Sequence, residues 1–308
     1  MIPIYQSFAE LQGVSRPIHW AMGFFDGVHR GHRLVMHSAS TPGALRGVLT
    51  FANHPLSLLR PQMQPLLLTP DPAYKAALIA EEGGADLLLR LPFTPELAAL
   101  SPTDFFDMLG SFCRIAGVSV GANWHFGRGG AGNAELLKNL GAQRGFTVCI
   151  NELALADDAP VSSDRIRREL ATGQMERVAD MLGRPFTITG SVTTGQRLAR
   201  QLGFPTANIP LQSGAALPPF GVYAVRCSVD KAALIGIANL GLRPTVSHSA
   251  SAPLLELHLP GWQGDLYGHH LEVKLLHFLR PEQQFASLDE LSSQIRADIA
   301  ALASLPCA

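Results

Sequence analysis

Gly23-Phe-Phe-Asp-Gly-Val-His-Arg-Gly-His32 decides how the first half of the chain is read. The run Ile18 to Phe25 reads as a strand, and the stretch after His29 as a helix. A strand–turn–helix of this kind points backbone N–H groups and a helix dipole at the carboxyl edge of a parallel sheet, which suits an anion. Gly23, Gly27 and Gly31 let a ligand or backbone come close. His29 and His32 are three apart and share a face on a helical turn. Their N–H groups can hold phosphate oxygens and the charge that develops on them. Metal ligation by the two histidines competes with this reading, but no third ligand or H-E-x-x-H pattern accompanies them.

Outward from this turn, strand-like and helix-like stretches alternate. Gly47 to Phe51, Leu87 to Leu89, Val118 to Val120 and Phe146 to Ile150 read as strands. Asp71 to Glu82, Pro102 to Ile115 and Leu136 to Arg144 read as helices. Such alternation implies crossover units and a parallel, Rossmann-like sheet. Near Leu182-Gly-Arg-Pro185 the pattern changes to short Thr-, Val- and Ile-rich runs broken by Gly and Pro. Phe186 to Val192, Val222 to Val229, Ala233 to Asn239, Leu254 to Leu259 and Leu271 to Phe278 predict a small antiparallel barrel. A closing helix follows, with a Ser287/Glu290 capping box and an apolar stripe of Leu288, Leu291, Ile295, Ile299 and Leu302. The expected domains are residues 1–182 and 183–308.

Composition agrees with two globular domains. The 308 residues suffice for two cores at about 150 residues each. With 24 basic and 25 acidic side chains, net −1, no overall field draws nucleic acid or an anionic membrane. Only 16% of residues are charged and mean hydropathy is +0.16, which argues against disorder. No apolar run of about 18 residues suggests a membrane span, and the start lacks a signal-peptide pattern, so a cytoplasmic location is expected. The four cysteines form no C-x-x-C pair and read as apolar thiols, three buried and Cys307 near the end of the chain.

The decapeptide resembles the G-x-F-D-G-x-H-x-G-H signature of the bacterial bifunctional riboflavin kinase/FAD synthetases. The likeness runs nearly end to end. Thr50-Phe-Ala-Asn-His-Pro55, Leu68-Thr-Pro70 with Lys75, Val120-Gly-Ala-Asn-Trp-His-Phe-Gly127 and Val161-Ser-Ser-Asp-Arg-Ile-Arg167 resemble successive family blocks. The resemblance implies that this half transfers AMP from ATP to FMN, giving FAD and pyrophosphate. His29 and His32 would then stabilise charge on the phosphates. Gly23, Phe24, Asp26, Gly27, Gly31, Ser162, Ser163 and Arg167 would hold ATP and its phosphates, and His54 and Asn123 the flavin. Asp26 either orients the turn or meets an ATP-bound cation. The glycine-rich stretch Phe126 to Asn133 is a flexible loop or a cover for the ligands. Asn53, Gly130 and Asp164 depart from the family pattern, which has a proline, commonly a basic residue and usually a threonine at these places.

In the second half, Thr206 and Asn208 are two apart on an extended segment and share a face. Their neutral oxygens suit Mg²⁺, a hard ion that also takes waters and substrate phosphates. Pro205-Thr-Ala-Asn208 resembles the riboflavin kinase hallmark, and Gly195 to Arg200 its phosphate-binding loop, with Gly195 and Arg200 as ATP contacts. In Leu255-Glu-Leu-His-Leu259 the leucines face one side; if they fill the barrel, Glu256 projects toward an outer cleft, where a carboxylate can accept a hydroxyl proton, and otherwise it is a solvent-facing side chain on a half-exposed strand. The family likeness of this strand, with Gly264-Asp-Leu-Tyr-Gly268 after it, implies that Glu256 is the base for riboflavin. Asn239-Leu-Gly-Leu-Arg-Pro-Thr245 implies a flavin contact at Arg243.

The leading reading is a two-step enzyme that takes riboflavin, ATP and Mg²⁺ to FMN and then to FAD. A kinase whose first half is a binding or scaffold module is the alternative, favoured by Asn53, Gly130 and Asp164. A nucleotidylyltransferase for another phosphorylated substrate is the third reading. The sequence does not define an oligomeric state.

Overall fold

The computed structural model describes residues 2–194, 203–230, 232–242 and 252–305. The chain divides into two compact units, Met1–Ser163 and Asp164–Ala308.

The first unit runs β1 (Ile4–Tyr5), β2 (Ile18–Met22), α1 (Arg30–Ser38), β3 (Leu45–Phe51), α2 (Pro55–Leu59), α3 (Pro72–Glu81), β4 (Leu87–Leu91), α4 (Pro95–Ala99), α5 (Pro102–Phe112), β5 (Ile115–Gly121), α6 (Ala134–Arg144) and β6 (Thr147–Asn151). A two-strand hairpin, β7 (Leu155–Ala156) and β8 (Ala159–Pro160), follows. The strands order as β1-β4-β3-β2-β5-β6, with every pair parallel. β1 is too short to stand out in the sequence and earns its place only by pairing with β4. All five residues of β2 are buried, as expected of a central strand covered on both faces. Strand order reverses between β2 and β5, which is where a doubly wound sheet opens its ligand crevice.

Local signals set the helix starts. Asp71 accepts from Ala73 N and Tyr74 N at the head of α3, Ser101 from Asp104 N at α5, and Asn133 from Leu136 N at α6. Proline occupies the first helical position of α3, α4 and α5, where its missing N–H costs nothing. α5 ends at Phe112, earlier than the Ile115 expected, because Cys113 is extended and the chain turns directly into β5. Trp20, Phe106, Leu109 and Val118 lie at the centre of the core on one side of the sheet.

The second unit carries α7 (Ser163–Ala171), α8 (Met175–Leu182), β9 (Phe186–Ser191), β10 (Ala207–Pro210), β11 (Gly221–Val229), β12 (Ala232–Leu242), β13 (Pro253–His258), β14 (His270–Pro281) and α9 (Leu288–Ala301). Its antiparallel sheet has the order β10-β13-β12-β11-β14-β9. A bridge between Thr193 and Asn208 joins the two edges, so the sheet is nearly closed into the expected barrel. α8 packs against β9 and β14, with Glu176 Oε1 2.8 Å from His277 Nδ1.

Ser287 caps α9 as expected, accepting from Glu290 N, while Glu290 Oε2 accepts from Ala286 N. The apolar stripe is only partly buried, and Leu288 is 52% exposed. A charge instead anchors the helix. Asp298, 5% exposed, takes Arg280 Nε at 3.0 Å and Nη2 at 2.8 Å, and Gln294 Nε2 at 2.9 Å. Asp298→Ala should lower barrel stability by about 3–5 kcal/mol, because it strands a largely buried guanidinium. Arg280→Met combined with Asp298→Leu should lose far less than the sum of the single changes, and urea unfolding compares the variants.

His19, on β2, is 3% exposed and lies between Thr41 Oγ1 at 2.8 Å and Ser119 Oγ at 2.9 Å. Burial, with the Arg46 charge behind it, pushes its imidazole down to about 4 from 6.5. The unfolded chain therefore binds a proton that the folded chain refuses between these values. This contribution is fully present above pH 6.5 and is lost as pH falls towards 4. The pH slope of unfolding free energy should be steeper in the wild type than in His19→Gln across that window, by up to about 1.4 kcal/mol per pH unit. Urea titrations of both proteins between those limits measure the difference.

Candidate functional site

The turn after β2 is strained. Phe25 (φ 56°) and Val28 (φ 40°) adopt the left-handed region beside Gly27 (φ 83°), although Phe25 and Val28 are both buried. This is why β2 stops at Met22 rather than running to Phe25. A Cβ on Gly23 would meet the Phe25 ring at 2.8 Å.

Buried polar groups hold the turn. Asp26, 3% exposed, accepts from Leu68 N at 3.0 Å, Thr69 N at 3.1 Å and Thr69 Oγ1 at 3.3 Å. Gly27 N donates back to Thr69 Oγ1, and Ser163 Oγ donates to Asp26 O. These bonds make Asp26 a residue that orients the turn. Lys75 and Thr50 both donate to the Phe24 carbonyl, from Nζ at 2.5 Å and Oγ1 at 2.7 Å. Lys75 also lies 4.1 Å from the centre of the Phe24 ring. Desolvation, with Arg90 adding to it and Asp26 opposing, pushes its ammonium down to about 8. In the sequence Lys75 stands only as a member of a family block. Its burial under the turn was invisible there.

His29 is the N-cap of α1, and its Nδ1 accepts from His32 N at 3.3 Å. In the neutral ring the proton therefore sits on Nε2. The two imidazoles stack with centroids 3.5 Å apart, and Phe25 meets His32 edge-on. His54 caps α2, and its ring lies edge-on to Phe24 with centroids 4.4 Å apart. A Cβ on Gly31 would come 3.3 Å from the His29 ring, so a larger residue there would press on the imidazole by a few tenths of an ångström. Asn123 is exposed just past the end of β5, across the sheet switch point from the turn after β2. The first unit thus brings Phe24, His29, His32 and His54 together around one strand end.

The departures from the family pattern have local explanations. Asn53 Oδ1 accepts from Phe93 N at 2.8 Å and its Nδ2 donates to Phe93 O at 3.1 Å, tying two strand-end loops together. Asp164 is 85% exposed and pairs with Arg167 on the same helix. Ser162 is exposed beside it. The glycine-rich stretch is folded rather than a plain loop. Phe126 bridges Gly132, and Arg128 N donates to Leu100 O. Gly130 sits there at φ 69°, a conformation that a basic side chain would strain.

In the second unit, Asn208 pairs with Glu256 across β10 and β13, and Glu256 with Asn239 across β13 and β12. The carboxylate therefore stands between two amides, on the face opposite buried Leu255 and Leu257. Asn239 Nδ2 donates to Glu282 Oε1 at 3.2 Å. A cavity of about 400 Å³ opens on this face, lined by Glu256, Asn239, His258, Phe285, Leu291 and Ile295 among others. The expected outer cleft is thus bordered by α9. A second cavity, also about 400 Å³, is lined by Trp262, Asp265, Leu266 and Tyr267. Thr206 and Asn208 border both cavities, and Glu256 borders only the first.

Thr206 and Asn208 offer neutral oxygens, and Asn208 is 8% exposed. With room for phosphate oxygens and water, this donor set fits Mg²⁺. No cluster of three His, Cys, Asp or Glu suited to a metal occurs among the described residues, in either unit. Gly195, Arg200 and Arg243 lie outside the described residues. Cys113 and Cys227 are buried free thiols, while Cys149 is only half-buried, contrary to expectation.

Comparison with known proteins follows the same division. The FAD synthetase family model matches residues 12–165 and the riboflavin kinase family model residues 182–305. A bifunctional riboflavin kinase/FMN adenylyltransferase from Pseudomonas fluorescens is 39% identical over 289 residues, covering 92% of this chain and 91% of its own. The Escherichia coli protein of the same name is 38% identical, covering 90% and 89%. A crystal structure described as a macrolide-efflux protein from Streptococcus pneumoniae matches with a TM-score of 0.85 and 26% identity over 97% of each chain. No helix among the described residues of the present chain is long and apolar enough to cross a membrane. On sequence and fold together, this chain belongs to the bifunctional riboflavin kinase/FMN adenylyltransferase family.

Proposed function

We propose that the barrel phosphorylates riboflavin and that the parallel-sheet half adenylylates the FMN so formed, with the residues acting as follows. The observation that carries the kinase assignment is the shared border of the two barrel cavities at Thr206 and Asn208. Riboflavin fits the cavity that holds Glu256 and the apolar face of α9, and ATP the one beside Trp262 and Tyr267. Glu256 accepts the proton of the riboflavin 5′-hydroxyl as its oxygen attacks the γ-phosphorus and ADP departs. Thr206 and Asn208 would hold Mg²⁺, which neutralises phosphate charge when bound.

In the first half the FMN phosphate is itself the nucleophile. Its oxygen attacks the α-phosphorus of ATP, and pyrophosphate leaves. The chain then has to orient the reactants and stabilise charge, which the His29 and His32 N–H groups and the α1 N-terminus can do. We assign His54 and Asn123 to the flavin, and the Gly23–Gly27 turn with Ser162 and Ser163 to ATP. We set the functional boundary at residues 182/183, close to where the match to the riboflavin kinase family model begins. Free thiols and dependence on ATP favour a cytoplasmic location.

Full-length protein incubated with riboflavin, ATP and Mg²⁺ should yield FAD on flavin separation. FMN alone would restrict the function to the kinase, and neither product would overturn the reading. Glu256→Gln should cut FMN formation by at least about 100-fold while leaving FAD formation from supplied FMN intact. His29→Ala and His32→Ala should do the reverse, each lowering FAD formation by about 100-fold or more while FMN accumulates.

A further inference from the structure

His258 lies two residues beyond Glu256 on β13 and is 8% exposed. The β10–β13 ladder ends at the pair Ala207 and Leu257. The next pair would be Thr206 and His258, but no ladder pairing continues there. The His258 ring takes over where the ladder stops, with Nδ1 2.8 Å from Pro205 O. A carbonyl only accepts, so Nδ1 carries the proton and donates it. Phe204 packs edge-on against the same ring, with centroids 5.7 Å apart. Pro205 has no N–H of its own to give a ladder. The backbone just ahead of Thr206 is therefore set by a side chain of the base-bearing strand.

We propose that His258 is a positioning residue: its Nδ1–H, by fixing the Pro205 carbonyl, holds Thr206 in register with Asn208 and couples that pair to Glu256. The proposal rests on Thr206 and Asn208 being the Mg²⁺ pair. It predicts a particular chemistry of replacement. The Asn amide nitrogen occupies the place of the imidazole Nδ1, whereas the Gln amide nitrogen occupies that of Nε2. His258→Asn should keep the bond to Pro205, and His258→Gln should lose it.

The test is calorimetric titration of the full chain with ADP, in the presence of Mg²⁺ and in EDTA, for wild type, Thr206→Val, His258→Ala, His258→Gln and His258→Asn. The Mg²⁺-dependent ADP site that Thr206→Val removes identifies the barrel's share. At that site Ala and Gln should weaken binding by about tenfold or more, and Asn should stay within about threefold of wild type. In kinase assays the Mg²⁺ requirement should follow the same order, beside whatever change the altered lining of the riboflavin cavity makes in the riboflavin KM. Equal binding by the Asn and Gln variants, or an effect confined to the riboflavin KM, overturns the proposal. If Thr206→Val removes no Mg²⁺-dependent site, the metal reading itself falls.

Discussion

The buried Asp26 carboxylate is the interaction on which the first unit's site depends. The turn after β2 places two non-glycine residues in the left-handed region, at a cost of order 1–3 kcal/mol each. Such a shape persists only if its surroundings over-determine it. Asp26 ties the turn to Leu68 and Thr69, Ser163 holds its backbone from another segment, and Thr50 and Lys75 clamp the Phe24 carbonyl. The strain has a geometric result. It sends the chain back so that His29 caps α1, and it stacks the two imidazoles at the strand end.

The barrel solves a similar problem with a different device. A polar row crosses the sheet through Asn208, Glu256 and Asn239, and a carboxylate there needs neighbours that neither neutralise it nor collapse onto it. Two flanking amides meet that need, because amides can donate without adding charge. Nearby, a paired charge would be expensive if its ligands were incomplete. Arg280 and Asp298 escape that cost through three bonds between them and a fourth from Gln294. The pair anchors α9 at the edge of the Glu256 cavity, so the helix needs no deeply buried apolar stripe.

The architecture was legible in the sequence because it is written in periodicity and punctuation. Alternating elements implied the parallel sheet, and short Thr- and Val-rich runs implied the barrel. The capping residues Ser287 and Asp71 marked helix starts within a residue. β1 escaped notice because two residues carry no period. The strand end at Met22 was misplaced because nothing in Gly-Phe-Phe announces that Phe25 takes a positive φ. In the candidate site, strict alternation put Glu256 on the outer face and spacing put His29 and His32 on one helical turn, while the roles expected of them came from the family resemblance. Lys75, Asn239, Arg280 and His258 were not readable, since their roles come from partners distant in the chain: Lys75 with Phe24, Asn239 with Glu282, Arg280 with Asp298, His258 with Pro205.

That contrast explains how a chain can depart from its family's pattern without losing the site. A family motif records which residues stand at a position, whereas the fold requires that particular backbone groups be held. Asn53 holds Phe93 through both its amide atoms, a bond that a proline there could not make, so the loop is tied by a different but sufficient means. Asp164 places a carboxylate where a hydroxyl is usual, but it points to solvent and pairs with Arg167 three residues along the helix. At an exposed position such a pair is worth at most about 1 kcal/mol, so it neither builds nor breaks the fold. What it does is keep the added charge engaged on its own helix. Asn53 and Asp164 each engage a local partner, so neither side chain disturbs the strained turn after β2, whose clamps at Asp26, Thr50 and Lys75 are made by other residues.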